Sequence, residues 1–112
     1  MSWDADLTCD CCGHVVASWN YTHNTNRMIG EARRSIGHEV DRSWWEVLDG
    51  MTAPIGAMYL GQIIYALEAD PPRYQAMDPA NGWGSYGSLL PVLREMRDRS
   101  AAENPMTWRC SG

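Results

Sequence analysis

The chain contains no phenylalanine. Its six Trp and five Tyr supply all of its aromatic surface, so every ring brings an N–H or O–H that needs a partner when buried. That composition favours half-buried, interface or ligand-facing rings over a dry aromatic core. Basic residues are also scarce, nine against fourteen acidic ones, with a net charge of −5 and a pI near 5.0. Binding to a nucleic-acid backbone needs a basic patch, so that class of partner is excluded. Long hydrophobic runs are lacking too. The longest, residues 55–67, is broken by Gly56, Gly61 and Gln62 and is too short and too polar to span a membrane. No charged-then-apolar segment opens the chain, so the expected compartment is cytoplasmic, and Asn20-Tyr21-Thr22 is a glycosylation sequon in spelling only. The four cysteines, Cys9, Cys11, Cys12 and Cys110, make no disulfide framework there.

What is present is enough for one core. At 112 residues, 45% hydrophobic and 21% charged, the chain reads as a single domain over 1–112. Alternation over 3–9 predicts a half-buried strand, Cys11-Cys12-Gly13 a turn, and the β-branched and aromatic residues of 14–21 the returning strand. Asn24 is the expected cap of a helix over 25–34, with Met28, Ile29, Ala32 and Ile36 facing inward. Ser43 and Glu46 match a capping box ahead of a short turn through Leu48, stopped by Asp49-Gly50. Thr52-Ala53-Pro54 opens the longest helix, with Ala57, Leu60, Ile64 and Leu67 as its inward stripe and Tyr59, Gln62 and Glu68 off it. Asp70-Pro71-Pro72 ends it, and 73–77 can add a turn. Leu89, Val92, Leu93 and Met96 mark a last buried face, on a helix that starts at Ser85 or Ser88. A start at Ser85 puts Pro91 where it should kink the helix. Asn104-Pro105 closes that helix, and 106–110 alternates as a final strand. The fold class is α+β: a small antiparallel sheet, the N-terminal hairpin plus the C-terminal strand, packed against three main helices.

Residues 19–28 concentrate the chemistry. Asn20, Thr22, Asn24 and Asn26 recur at period two, so extended backbone projects them from one face, with Tyr21 and His23 on the other. Amides and hydroxyls on one face suit either a polar ligand or a hydrogen-bonded corner between strand and helix. The loop over 78–87 is dense in turn residues yet holds Trp83 and Tyr86, so it is expected to pack on the body, with Trp83 closing the core edge, or to shape a ligand site. Trp and Tyr faces could stack a base, and Arg27, Arg33 and Arg34 could pair with phosphates.

Other chemistries find less support. Cys9 and Cys12 have the spacing of a zinc knuckle, and His14 and Cys110 could complete four ligands, but the second Cys-x-x-Cys is missing. The cofactor expectation is therefore none, with zinc on those four residues as the alternative. No motif surrounds a nucleophile, the acidic residues form no pair spaced for acid–base work, and His38 reads as exposed. The chain is expected not to be an enzyme.

Three motifs in order, Asn20-Tyr21-Thr22-x-Asn24 with Met28, Leu48-x-Gly50-Met51-Thr52, and Pro79-x-Asn81-Gly82-Trp83-Gly84-x-Tyr86, resemble a family of small proteins common in phages and their actinobacterial hosts. The resemblance covers most of the chain and implies a phage accessory protein acting in the host cytoplasm. A small accessory protein with such a polar cluster is expected to inhibit host defence, either by sequestering a nucleotide-type signal or by binding a defence protein. The first alternative gathers Asn20, Tyr21, Thr22, Asn24, Arg27, Trp83 and Tyr86 around one pocket, which a neighbouring subunit of a homo-oligomer could complete. The second needs a flat apolar patch with Trp44 and Trp45 as anchors.

Overall fold

A computed structural model describes residues 2–102 and 105–112. Three strands, β1 (Ser2–Cys9), β2 (Val15–Thr22) and β3 (Met106–Ser111), form one antiparallel sheet in the order β2-β1-β3. Period two decides its two faces. Trp3, Ala5 and Leu7 of β1 stand beside Tyr21, Trp19 and Ala17 of β2, and Leu7 pairs with Trp108 of β3. This face is covered by helices. The opposite face carries Asp4, Asp6, Ser18, Asn20 and Arg109 and is largely open to solvent.

After β2, a 3-10 turn (His23–Thr25) leads into α1 (Asn26–Ser35), followed by α2 (Trp44–Leu48), α3 (Ala53–Ala69), α4 (Pro71–Gln75) and α5 (Tyr86–Ser100). The chain is α+β, as its patterning indicates. The capping box at Ser43 is present, with Glu46 accepting the Ser43 N–H at 3.1 Å. Ser85, not Ser88, caps α5, so Pro91 lies inside the helix and removes the bond to the Gly87 carbonyl. The predicted closing pair includes Asn104, which lies outside the described residues.

Three expectations need correction. Asn24 does not cap a helix, and the period-two polar row does not stay extended: β2 ends at Thr22, which caps the 3-10 turn through Asn24 N–H (3.2 Å), and Asn26 opens α1 with its side chain turned to His23 and Trp44. Tyr59, placed off the inward stripe of α3, is buried, while Ala57 is only half-buried. His38 is half-buried as well, bonded to Gln62 at 2.9 Å and stacked on the Tyr59 ring at 5.7 Å.

The aromatics form much of the core after all. Trp3, Trp44, Trp108 and Tyr74 are fully buried, and Trp3 meets Trp44 edge-on at 4.7 Å. Most of their polar handles are satisfied inside. Trp44 Nε1 donates to Asn26 Oδ1 (3.2 Å), Trp108 Nε1 to Ser100 Oγ (2.9 Å), and Tyr74 Oη to Ser35 Oγ (3.4 Å). A Trp can therefore enter a small core when a hydroxyl or amide is placed at its N–H.

Candidate functional site

The end of β2 and the loop ahead of α5 meet at the edge of the open sheet face. Pairing of Ser2 with Thr22 and of Asp4 with Asn20 puts these side chains in adjacent rows. Asn20 Nδ2 donates to Asp4 Oδ1 (2.8 Å) and Ser2 Oγ (3.0 Å), which fixes the amide plane. Asn24, on the 3-10 turn, reaches across: its Nδ2 lies 3.4 Å from Asn81 Oδ1 and 3.3 Å from the Trp83 carbonyl. Asn81 Oδ1 in turn accepts the Trp83 N–H at 2.9 Å, an Asx-turn that shapes the loop.

Gly84 lets the loop come this close. Its φ is +86°, and a Cβ there would stand 2.6 Å from Thr22 Cγ2. Beyond it, Ser85 N–H donates to Tyr21 Oη at 3.2 Å, and Tyr21 Oη also bonds Ser88 Oγ at 2.5 Å. The result is a groove of about 530 Å³ lined by Ser2, Asn20, Thr22, Asn24, Asn81 and Trp83. None of these six side chains titrates near neutral pH, and Trp83 is 70% exposed.

The predicted site residues divide. Asn20, Thr22, Asn24 and Trp83 do share this groove, and Trp83 does not plug the core edge. Tyr21 belongs to the other face of the strand, packed on Trp3 with ring centroids 5.9 Å apart. Tyr86 is buried under the loop with its hydroxyl donating to the Leu67 carbonyl at 2.8 Å, so it supports the loop from below. Arg27 faces a separate cavity, with Asn26, Arg34 and Trp44. Sequence reasoning missed two lining residues. Asn81 carried a signal, as the first residue of an Asn-Gly-Trp-Gly turn; Ser2 carried none, because only the strand register brings it beside Thr22.

The cysteine set does not converge. Cys9 lies opposite Met106, whereas Cys110 lies opposite Ala5. The two thiols are thus four residues apart along the sheet, about 13 Å at the usual rise. Among the described residues no three His, Cys, Asp or Glu side chains are grouped to hold a metal ion. The thiols also differ chemically. Burial first, then Asp49 and Asp6, pushes the Cys110 thiol up to about 12, while the backbone N–H groups of Cys12 and Cys11 lower that of Cys9.

The anchors expected for a protein partner are likewise not available. Trp44 is 1% exposed, and Trp45 is half-buried beside His23. A scan against protein-family models, and comparisons with curated proteins and with solved structures, return no match.

Proposed function

We propose that this protein is a non-enzymatic binding protein that sequesters a nucleotide-type small molecule through the groove at the end of β2. One observation carries this reading: Trp83 stands 70% exposed over a groove lined otherwise by amides and hydroxyls. An indole left in water forgoes roughly 2 kcal/mol or more of burial, which a stacked planar ring would recover. Thr22 and the side-chain oxygens of Asn20 and Asn24 could then engage ribose-type hydroxyls. Among the described residues the Ser2 and Thr22 hydroxyls of the groove have no base beside them, which favours holding a ligand over transforming it.

Among the described residues no cation lines the groove, and Asp4 adjoins Asn20, which favours recognition of the nucleoside portion, with any phosphate directed outward. With the phage and actinobacterial resemblance, capture of such a molecule gives the protein a role in blunting a host defence signal. The test is native mass spectrometry of protein purified from cells, with and without cyclic and ADP-ribose-type nucleotides. The expected result is a nucleotide adduct that disappears in a folded Trp83→Ala variant. A clean apo mass with every nucleotide overturns the reading.

A second reading, direct binding to a host protein, draws on Ile55, Met58 and Tyr65, all exposed along one side of α3. It predicts that Met58→Asp abolishes capture of a defence protein while Trp83→Ala does not.

A further inference from the structure

The two outer edges of the sheet are finished differently. On the outer side of β3, Trp108 N–H donates to the Met51 carbonyl (2.9 Å), the Trp108 carbonyl accepts the Gly50 N–H (2.8 Å), and Cys110 N–H donates to Asp49 Oδ1 (2.9 Å). Residues 49–51 thus close that edge. β2 forms the other edge, and among the described residues the main chain of 17–21 makes no backbone bond outside the sheet.

Alternation along an antiparallel ladder says which groups are left over. Because Trp108 and Cys110 turn their main chain outward, Thr107 and Arg109 turn theirs to β1, opposite Thr8 and Asp6. Trp3, Ala5 and Leu7 then bond to β2, opposite Tyr21, Trp19 and Ala17. Ser18 and Asn20 are left with N–H and C=O both pointing away from the sheet. β2 also lacks what usually blunts such an edge. The register shift falls at Val16, and residues 17–22 beyond it include no charge and no proline. Nor is the inner face of β2 fully covered: Trp3, Ala5 and Leu7 of β1 are wholly buried, whereas Ala17, Trp19 and Tyr21 are half-buried.

We propose that β2 pairs antiparallel with β2 of a second copy across a two-fold axis at Trp19, joining two three-stranded sheets into one. This register sets Ser18 against Asn20 of the second copy, and Asn20 against its Ser18, so every outward group of the two residues meets its complement. The occupant is a copy of this chain because the edge is complementary to itself: polar row continues polar row, and Trp19 meets its own copy on the inner side. Charge points the same way. Each copy carries −5, so two copies meet at least cost along an uncharged stretch, which residues 17–22 supply. Glu95 works against the contact: it accepts the Trp19 indole N–H at 3.1 Å and would approach its own copy, so added salt should tighten the dimer. A strand pair of six residues is about 20 Å long. That is a smaller contact than the ~800 Å² per partner of a standard interface, so the dimer is weak, in the micromolar range. It sets both Trp83 grooves on one continuous polar face, with Ser18 of the second copy beside Asn20 of the first. The pairing needs no ligand and does not rest on the reading of the groove.

Sedimentation equilibrium from micromolar to millimolar protein reads the mass, and amide hydrogen exchange by NMR over the same range reads the edge. The mass should climb from 12.6 kDa towards twice that value, while exchange of the Ser18 and Asn20 amides, open in the monomer, slows severalfold in step with it. Ser18→Pro removes an outward N–H without touching the bonds to β1, and should hold a folded chain at 12.6 kDa. A wild-type mass that stays at the monomer value overturns the proposal. So does a dimer whose Ser18 and Asn20 amides exchange as in the monomer, which would put the contact elsewhere, as on the exposed Ile55, Met58 and Tyr65 of α3. A folded Ser18→Pro chain that dimerises like the wild type overturns it too. Should that variant not fold, the wild-type exchange decides alone.

Discussion

Two glycine-to-alanine substitutions in helices should move stability in opposite directions. Gly30 in α1 and Gly56 in α3 both have helical backbones, so Ala gains about 0.5–1 kcal/mol at either from reduced unfolded-state freedom. At Gly30 a Cβ meets nothing within 4 Å, and the gain stands. At Gly56 the same atom would lie 2.4 Å from Trp108 Nε1, 2.5 Å from its Cδ1 and 3.2 Å from Leu48 Cδ1. Ordinary carbon contacts are near 3.5–4.0 Å, so the indole or α3 must move by about 1 Å. Trp108 has little room: it is fully buried, tilted against Trp19 at 5.5 Å and tied to Ser100. Overpacking of this kind costs about 1–3 kcal/mol, and breaking the Trp108–Ser100 bond leaves a buried N–H worth about 1–3 more. Net of the helix gain, Gly56→Ala should destabilise by about 1–5 kcal/mol. Urea unfolding followed by Trp fluorescence reads both variants, with midpoints moving apart and the slope unchanged. A Gly56→Ala midpoint at or above wild type would refute the reasoning, because Trp108 would then yield without cost.

The neighbouring loop glycines make a similar contrast. Gly84→Ala combines a φ of +86° with the Thr22 contact and should cost about 2–4 kcal/mol, whereas Gly82→Ala, with φ +76° and open space, should cost only about 1. Equal losses in thermal or urea melts would show that Thr22 gives way. The thiols should separate under iodoacetamide at pH 8, followed by intact mass. Cys9, Cys11 and Cys12 should modify faster in the folded protein than Cys110, whose half-buried thiol is held protonated, so a fourth adduct forming at the same rate contradicts the raised Cys110 pKa. The same shift sets a pH trend: the unfolded Cys110 thiol ionises near its ordinary value and the folded one near 12. Stability therefore falls as pH rises between about 8.5 and 12, and Cys110→Ala should flatten that decline in urea midpoints.

Much of the fold is legible because local pattern and tertiary role coincide. Alternation in Trp3, Ala5 and Leu7 is the core face of β1, Ser43 with Glu46 is a real capping box, and residues 106–111 return to pair with the hairpin. Legibility fails where one residue type serves two environments. Trp44 and Trp83 are the same side chain, yet Asn26 accepts the N–H of the first and draws it into the core, while the Asx-turn at Asn81 leaves the second outside. Tyr59 and Arg33 look like surface residues by helical phase; the loop folded over α1 buries both, and no local signal encodes that loop's path. In the candidate site, Asn20 and Thr22 are readable from period two, whereas Asn24 joins them from the 3-10 turn, outside the strand. Tyr21 neighbours them in sequence, but strand alternation puts it on the opposite face, against Trp3.

The groove's polar residues are at once a brace and a candidate site, and the geometry separates the two roles atom by atom. Asn24 Nδ2 clasps the loop at 3.3 and 3.4 Å, long for amide bonds and correspondingly weak. The firmer ties lie beneath, in the Gly84 approach to Thr22 and the Tyr21 bonds to Ser85 and Ser88. Those would hold the loop without any asparagine at 24. The Asn24 side chain thus contributes little as a brace, and with Trp83 it lines the groove. A ligand that stacks on Trp83 while accepting from or donating to Asn20 and Asn24 would bridge sheet and loop. It would bind only the closed arrangement, stabilising the native state by about 2.7 kcal/mol at a hundredfold excess over its dissociation constant. If the polar row were only a brace, Asn24→Ala would lower stability in the absence of ligand; if it is a site, the apo protein should barely notice the substitution, and the ligand-dependent gain should vanish.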